Sequence, residues 1–534
     1  MCSSDLGASL SILRASHEPV AASSHSPPIL EHLFYHEPNT MSTPLLDAEP
    51  SLRAMAVRNY HPPMSRGHEG NKPEPPDVSW GKVFRLAAPA VVDGLLSMTI
   101  GVVGLLLVGR LGDAALAGMG AGLQLVWFAI SFGAAIGTGT TVAIAHAIGR
   151  GDRDGARHAA VQATLLALGA SLVVMMLTPI ARQLVEMLGG TRDVTDQGAA
   201  YVRVCLASAV VLILPAVLGG ALRGSGDTRT PMVAGLAANT ANIVLTPALI
   251  FGWYGLPTIG VAGAAVGAAV GRGLGGVVMV VALVRTRHAI NLPWRRNERH
   301  RWRADFAMLR RLSELSLPTA VEQFQSTTAT LLFGMLVLAE GTSVSAAQRV
   351  VFNLMGIAYL PAIGCATAAT IMVGQAFGAG VPHPGGQAAV RATTRSYVLA
   401  LLWLSATGSV FVLRASSLVS LYSNVPDVLS PGVPGLQIIG IYLPIASVGI
   451  VYGSAIRGSG DTRSPMVISA LSMWLFTLPL AWVAGTILEA GLPGLLAAFC
   501  FGGVVSGTAM WFRWRTIGRT VAPVLHPEVE AHQV

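Results

Sequence analysis

The sequence predicts an all-α polytopic membrane protein: twelve transmembrane helices in two six-helix lobes, related by a pseudo-two-fold axis along the membrane normal. Three observations carry that expectation. Hydrophobic residues make up 52% of the chain and charged residues only 12%, against about 25% charged in an ordinary soluble domain. From Trp80 onward, apolar stretches long enough to cross a bilayer follow one another. Finally, the decapeptide RGSGDTRTPM at 223–232 returns 234 positions later, at 457–466, as RGSGDTRSPM, with Ser464 for Thr230 as the single exchange.

Taken in order, residues 1–79 hold eleven of the 31 prolines and six of the 13 histidines and show no sustained periodicity. They read as a disordered N-terminal tail without a cleavable signal peptide. The opening MCSSDL also matches what a common sequencing adapter encodes, which would move the start to Met41, Met55 or Met64. Twelve apolar segments follow, near 86–109, 116–147, 158–181, 198–221, 231–251, 259–284, 314–338, 344–376, 391–413, 434–455, 465–488 and 492–512. Each reaches the roughly 20 residues a spanning helix needs. The longest, 116–147 and 344–376, exceed that and are expected to tilt or to extend past the hydrocarbon.

Basic residues alternate along this series. Lys82 and Arg85 precede the first span. Arg150, Arg153 and Arg157 follow the second, Arg223 and Arg229 the fourth, Arg391 and Arg395 the eighth, Arg457 and Arg463 the tenth, and Arg513, Arg515 and Arg519 the twelfth. Between spans six and seven, residues 285–311 carry nine Arg against Glu298 and Asp305. The positive-inside rule puts all of these, and both termini, in the cytoplasm. The expected organisation is therefore a tail at 1–79, an N-lobe at 80–284, an Arg-rich cytoplasmic linker at 285–311, a C-lobe at 312–516 and a short cytoplasmic tail at 517–534. Because six is even, both lobes enter the membrane in the same sense and form a parallel repeat. LAAPAVVD at 86–93 echoes SLPTAVE at 316–322, and AHAIGRGD at 145–152 echoes GQAFGAG at 374–380.

Several chemistries are not supported. The four cysteines are isolated, so neither a metal site nor a disulfide framework is expected. The basic balance of +8 lies beside apolar segments without interleaved aromatics, which argues against nucleic acid. No GxSxG, HExxH or Walker A loop occurs, so neither an enzyme nor ATP-driven transport is expected.

The decapeptides read as turns. Gly224, Gly226, Gly458 and Gly460 permit a tight reversal, Asp227 and Asp461 suit a turn, and Thr230 or Ser464 before Pro suits a helix start. Acids inside the membrane are more telling. Asp93 and Glu322 lie well within spans one and seven, four residues after Pro89 and Pro318. A charge at the bilayer centre costs about 2.5–3.5 kcal/mol on insertion scales, so such residues usually line a cavity or ion path. Protonation relieves that cost, because the neutral acid is cheaper to bury. The pair is expected to be symmetry mates that take up and release a cation, the alternative being carboxyls satisfied by neighbouring helices. Gln323 follows Glu322, and Gln325 shares its face one turn on. Gln124, Asn239, Asn242, Gln348 and Asn353 are further candidate lining residues. Arg349, within span eight, can snorkel, pair with Glu340 or reach the cavity.

The order of motifs resembles the multidrug and toxic compound extrusion (MATE) transporters, on VGRLGDAALAGMG (108–120), IGTGTTVAIAHAIGRGD (136–152), LRGSGDTRTPM (222–232), NIVLTPALIFGWYGLPTIGVAGAA (242–265), LPTAVEQ (317–323) and VGQAFGAGVP (373–382). The resemblance covers about 80–516. It implies a two-lobe secondary antiporter of the inner or plasma membrane, without a cofactor, exporting organic and often cationic compounds in exchange for H⁺ or Na⁺. Its partners would be the small-molecule substrate and the bilayer, and it would act as a monomer. Two N-lobe carboxylates common in the family are replaced, by Gly104 in VVGLLLVGR and by Thr246 in NIVLT. Glu322 keeps the acid of the P-x-x-x-E-Q motif, and Arg349 stands where Gln is expected. The alternatives are a lipid-linked precursor flippase, favoured if Arg349 and Arg272 both face the centre, and a non-transporting scaffold.

Overall fold

The computed structural model describes residues 78–189, 191–255, 257–285, 290, 302–380 and 385–521. The proposed tail and start codons, most of the linker and the last residues lie outside them.

The N-lobe is built from α1 (Trp80–Val108), α2 (Asp113–Gly149), α3 (Arg153–Met175) with the short α4 (Ala181–Glu186), α5 (Arg192–Ala207), α6 (Ala209–Gly224), α7 (Arg229–Phe251) and α8 (Val261–Val284). The C-lobe repeats the pattern with α9 (Phe306–Ala339), α10 (Thr342–Gly378), α11 (Gly385–Leu413), the short α12 (Ala415–Ser420), α13 (Pro426–Gly458), α14 (Arg463–Leu471) and α16 (Gly491–Val521). Beyond α14 the same rod continues through two π-helical stretches, Ser472–Thr477 and Val483–Ile487, with α15 (Leu478–Trp482) between them.

Among the described residues, ten helices are long and apolar enough to span a membrane, and α5 with α6 forms an eleventh span bent by 52° at Ser208. The twelfth is α9, whose apolar character is diluted by Glu322 and the polar run at 323–330. The two longest spans are as expected: α2 and α10 have 37 residues each, about 55 Å at 1.5 Å per residue.

Two helix ends differ from expectation. α9 starts at Phe306, inside the expected linker, because Asp305 caps it by accepting from the amides of Ala307 and Met308. α16 runs to Val521 and takes in Arg513, Arg515 and Arg519. Arg513 reaches back to Asp461, and Arg515 stacks over Trp511 at 4.5 Å, so these charges stay helical at the apolar boundary.

The lobes are joined reciprocally. Val83, Leu86 and Ala87 at the start of α1 belong to the core of the C-lobe, while Leu312 of α9 sits in an N-lobe core with Ile136, Ala163 and Ile213. Burial along the central helices is uneven. From 135 to 147 in α2, and from 364 to 378 in α10, nearly every residue is buried, whereas the opposite halves expose Gln124, Trp127, Arg349 and Asn353. The lobes are therefore packed together at the end carrying the two RGSGDTR turns and apart at the other. Glycine allows the close approach: a Cβ on Gly149 would strike the Gln375 carbonyl, and one on Gly378 the His146 carbonyl.

Candidate functional site

Glu322 is buried on α9. Its Oε1 accepts from Arg457 Nη2 at 2.6 Å, and its Oε2 is buried without a hydrogen-bond partner. Arg457 is the first residue of the second RGSGDTR copy. In the N-lobe, Asp93 on α1 accepts from Arg223 Nη1 at 3.3 Å, and Arg223 opens the first copy. The two acids thus have equivalent partners, as symmetry mates should, and each is held inside its own lobe. Sequence reasoning missed these partners. Arginines at helix C-termini read as topology markers, although their place at the head of both copies was a usable signal.

The turns themselves hold another surprise. Gly226 and Gly460 take φ of 92° and 97°, the region glycine tolerates best. Gly224 and Gly458 have no room for a Cβ, which would lie 2.7 Å from the carbonyls of Thr141 and Thr370 respectively. Thr230 and Ser464 are not the caps. α7 and α14 begin earlier, at Arg229 and Arg463, and the carboxylates of Asp227 and Asp461 accept from the Thr230 and Ser464 amides at 3.0 and 2.9 Å. A carboxylate two residues before the first turn reaches its free amides better than a hydroxyl already within the helix. Burial pushes the Asp461 carboxyl up, but hydrogen bonds from Ser464 and Arg513 outweigh it and hold it below the usual value.

Near Glu322, Gln325 is the polar residue that ties α9 to its neighbour. It donates to Ser469 at 3.3 Å and accepts from Trp474 Nε1 at 3.1 Å. Trp474 lies in a π-helical stretch, a distortion frequent at functional sites. Gln323 is exposed beside it. In the N-lobe, Asn239 and Asn242 of α7 are buried, each with an unpartnered Oδ1. Asn242 donates to Thr246 at 3.0 Å. Gly104 is buried, and a Cβ there would meet Met119 at 3.0 Å. These positions supply amide and hydroxyl oxygens but no charge.

The remaining candidates scatter. Gln348 is buried, and Gln124 and Arg349 are exposed. Asn353 accepts from Tyr422 at 2.9 Å. The charge of Arg272 acts on Tyr201 and Cys205 within the N-lobe. His158 of α3 bonds Asp305 at 2.9 Å, which holds that carboxyl below the usual range. His146 is buried, with Nε2 2.9 Å from the Gly458 carbonyl of the other lobe. Among the described residues, no group of three or more His, Cys, Asp and Glu side chains could hold a metal ion.

Comparisons with known proteins agree on one family. A family model described as MatE matches residues 89–248 and 318–483. The probable multidrug resistance protein NorM of Thermotoga maritima is 28% identical over 449 residues, 83% of this chain and 91% of that one. The multidrug resistance protein MdtK of Yersinia pestis is 26% identical, over 80% and 92%. Among solved structures, an outward-facing multidrug resistance MATE family transporter superimposes with a TM-score of 0.76 at 21% identity, covering 85% of this chain and 99% of that one.

Proposed function

Since the chain belongs to the MatE family, the multidrug and toxic compound extrusion transporters, we propose that it exports organic, often cationic compounds across the inner or plasma membrane in exchange for H⁺ or Na⁺. The observation carrying this reading is Glu322: a carboxylate buried in a spanning helix, with one oxygen ion-paired to Arg457 and the other unpartnered. An intramembrane acid of this kind is a functional residue by default. The relatives' names, as multidrug resistance proteins, supply the substrate class.

In this reading the lobes rock about α2 and α10, and the more exposed end of those helices is the outward-facing one. Arrival of the coupling cation at Glu322 from outside neutralises the carboxylate and releases the compound. Loss of the cation inside restores the charge. A gradient of 100 mV supplies about 2.3 kcal/mol per charge, enough for roughly a forty-fold concentration ratio. With Gly104 and Thr246 in place of acids, Asp93 is the acid among the N-lobe candidates, and the buried Glu322 of the C-lobe carries the main coupling role.

The test is reconstitution with a fluorescent organic cation under imposed H⁺ and Na⁺ gradients. Glu322→Gln should abolish compound-dependent ion flux while the protein still inserts. Full exchange by that variant would remove the reading.

A further inference from the structure

Each RGSGDTR copy makes two contacts with adjacent residues. In the second, the Arg457 side chain turns to Glu322 at 2.6 Å in its own lobe, while the carbonyl of Gly458 accepts from His146 Nε2 of the other lobe at 2.9 Å. In the first, Arg223 turns to Asp93 at 3.3 Å, while the carbonyl of Gly224 accepts from Gln375 Nε2 of the other lobe at 3.4 Å. His146 and Gln375 occupy equivalent positions, 229 residues apart in AHAIGRGD and GQAFGAG. Both accepting carbonyls end a helix, where no intrahelical donor is available. The tighter ion pair accompanies the tighter cross-lobe bond.

We propose that these two arrangements are a latch: the ion pair inside each lobe holds the turn where its glycine carbonyl receives the other lobe's donor. Neutralising the acid releases the closed end. This rests on the antiport reading and adds the residues that transmit it. The physical reason is the fate of the arginine. A guanidinium beside a neutral acid in a low-dielectric site has lost its compensation. It relaxes toward the interface and moves the last turn of α13, with Gly458, away from His146. Close contact makes the bond sensitive to such a shift: a Cβ on Gly460 would lie 3.3 Å from His146 Cε1. The other charges acting on His146 are Arg150, just past the end of α2, and Arg311 of α9, and Arg457 is the ion-pair partner of Glu322.

The experiment uses the full chain in nanodiscs, with Cys2, Cys205, Cys365 and Cys500 replaced and spin labels on Arg229→Cys and Arg463→Cys. These exposed mates lie just beyond the two turns. Pulsed electron resonance reads the distance between lobes. Glu322→Gln and His146→Ala should each raise the long-distance population about fivefold, the ratio expected for one lost hydrogen bond. Their combination should go little further than either alone, because both break one device. His146→Gln, the residue its mate uses, and Glu322→Asp, which keeps the charge, should retain the parent distribution, and they exclude misfolding as the cause. A parent-like distribution in Glu322→Gln, or full additivity in the double variant, would overturn the latch. The flux assay decides the antiport reading separately.

Discussion

At the scale of single residues, the two acids inside the spans, Glu322 and Asp93, are each paired with an arginine, and the pairs differ. The Arg457 and Glu322 side chains keep 20% and 11% of their surface exposed, and those of Arg223 and Asp93 25% and 23%. Removing one partner of a buried pair leaves the other uncompensated, at a cost of about 3–5 kcal/mol. Arg457→Ala should therefore lower stability in detergent by roughly that amount and Arg223→Ala by less, and Arg457→Ala combined with Glu322→Gln should recover most of the loss. Thermal unfolding followed by tryptophan fluorescence measures all three. Asp461 provides a second residue-level prediction. Its carboxyl is held below the ordinary value of 3.8, so its contribution is fully present above that pH and is lost as pH falls through the folded value. Asp461→Ala should cost about 1 kcal/mol at neutral pH, typical of a lost cap, and should flatten the acid limb of the stability profile.

At the scale of elements, helix crossings depend on glycine at many positions but not at all of them. Gly220 of α6 packs against the backbone of Gly137 in α2, and a Cβ there would strike its carbonyl. Gly101 and Gly334 have nothing within 4 Å of the corresponding position. Gly220→Ala should therefore destabilise by about 1–3 kcal/mol through overpacking. Gly101→Ala should be neutral or stabilising by up to about 1 kcal/mol through helix propensity. Parallel melting curves of the two variants distinguish the cases. The lobes also differ in one helix. α7 is a regular helix, while its counterpart α14 continues into π-helical turns that direct Trp474 at Gln325. Hydrophobic periodicity does not distinguish α from π backbone, so this was not legible beforehand.

At the scale of the whole molecule, the two-fold gives both turns the same side of the membrane. With the arginines inside, membrane-impermeant maleimide should label Arg229→Cys and Arg463→Cys in inside-out vesicles, and Asn424→Cys in intact cells. The reverse pattern would invert the orientation. The architecture was largely legible in the sequence. Most spans announce themselves by their own apolar length, and the duplicated decapeptide relates the halves and so supplies α9, whose polar run dilutes that signal. The site was legible only in part. Asp93 and Glu322 stood out because an acid within an apolar stretch is costly wherever the helix lies. Gln323 and Gln325 were named by their place beside Glu322 and lie on its helix, whereas Gln124, Asn239, Asn242, Gln348, Arg349 and Asn353 were named by type and sit on other helices.

The sequence by itself determined the number of spans, the duplication and the intramembrane acids, since hydropathy, repetition and charge are local properties of the chain. Tertiary structure decided which groups meet. Arg457 lies 135 residues from Glu322 and His146 312 from Gly458. Contacts at such separations depend on where helices cross and how closely their glycines let them approach, and that depends on the packing of the whole bundle.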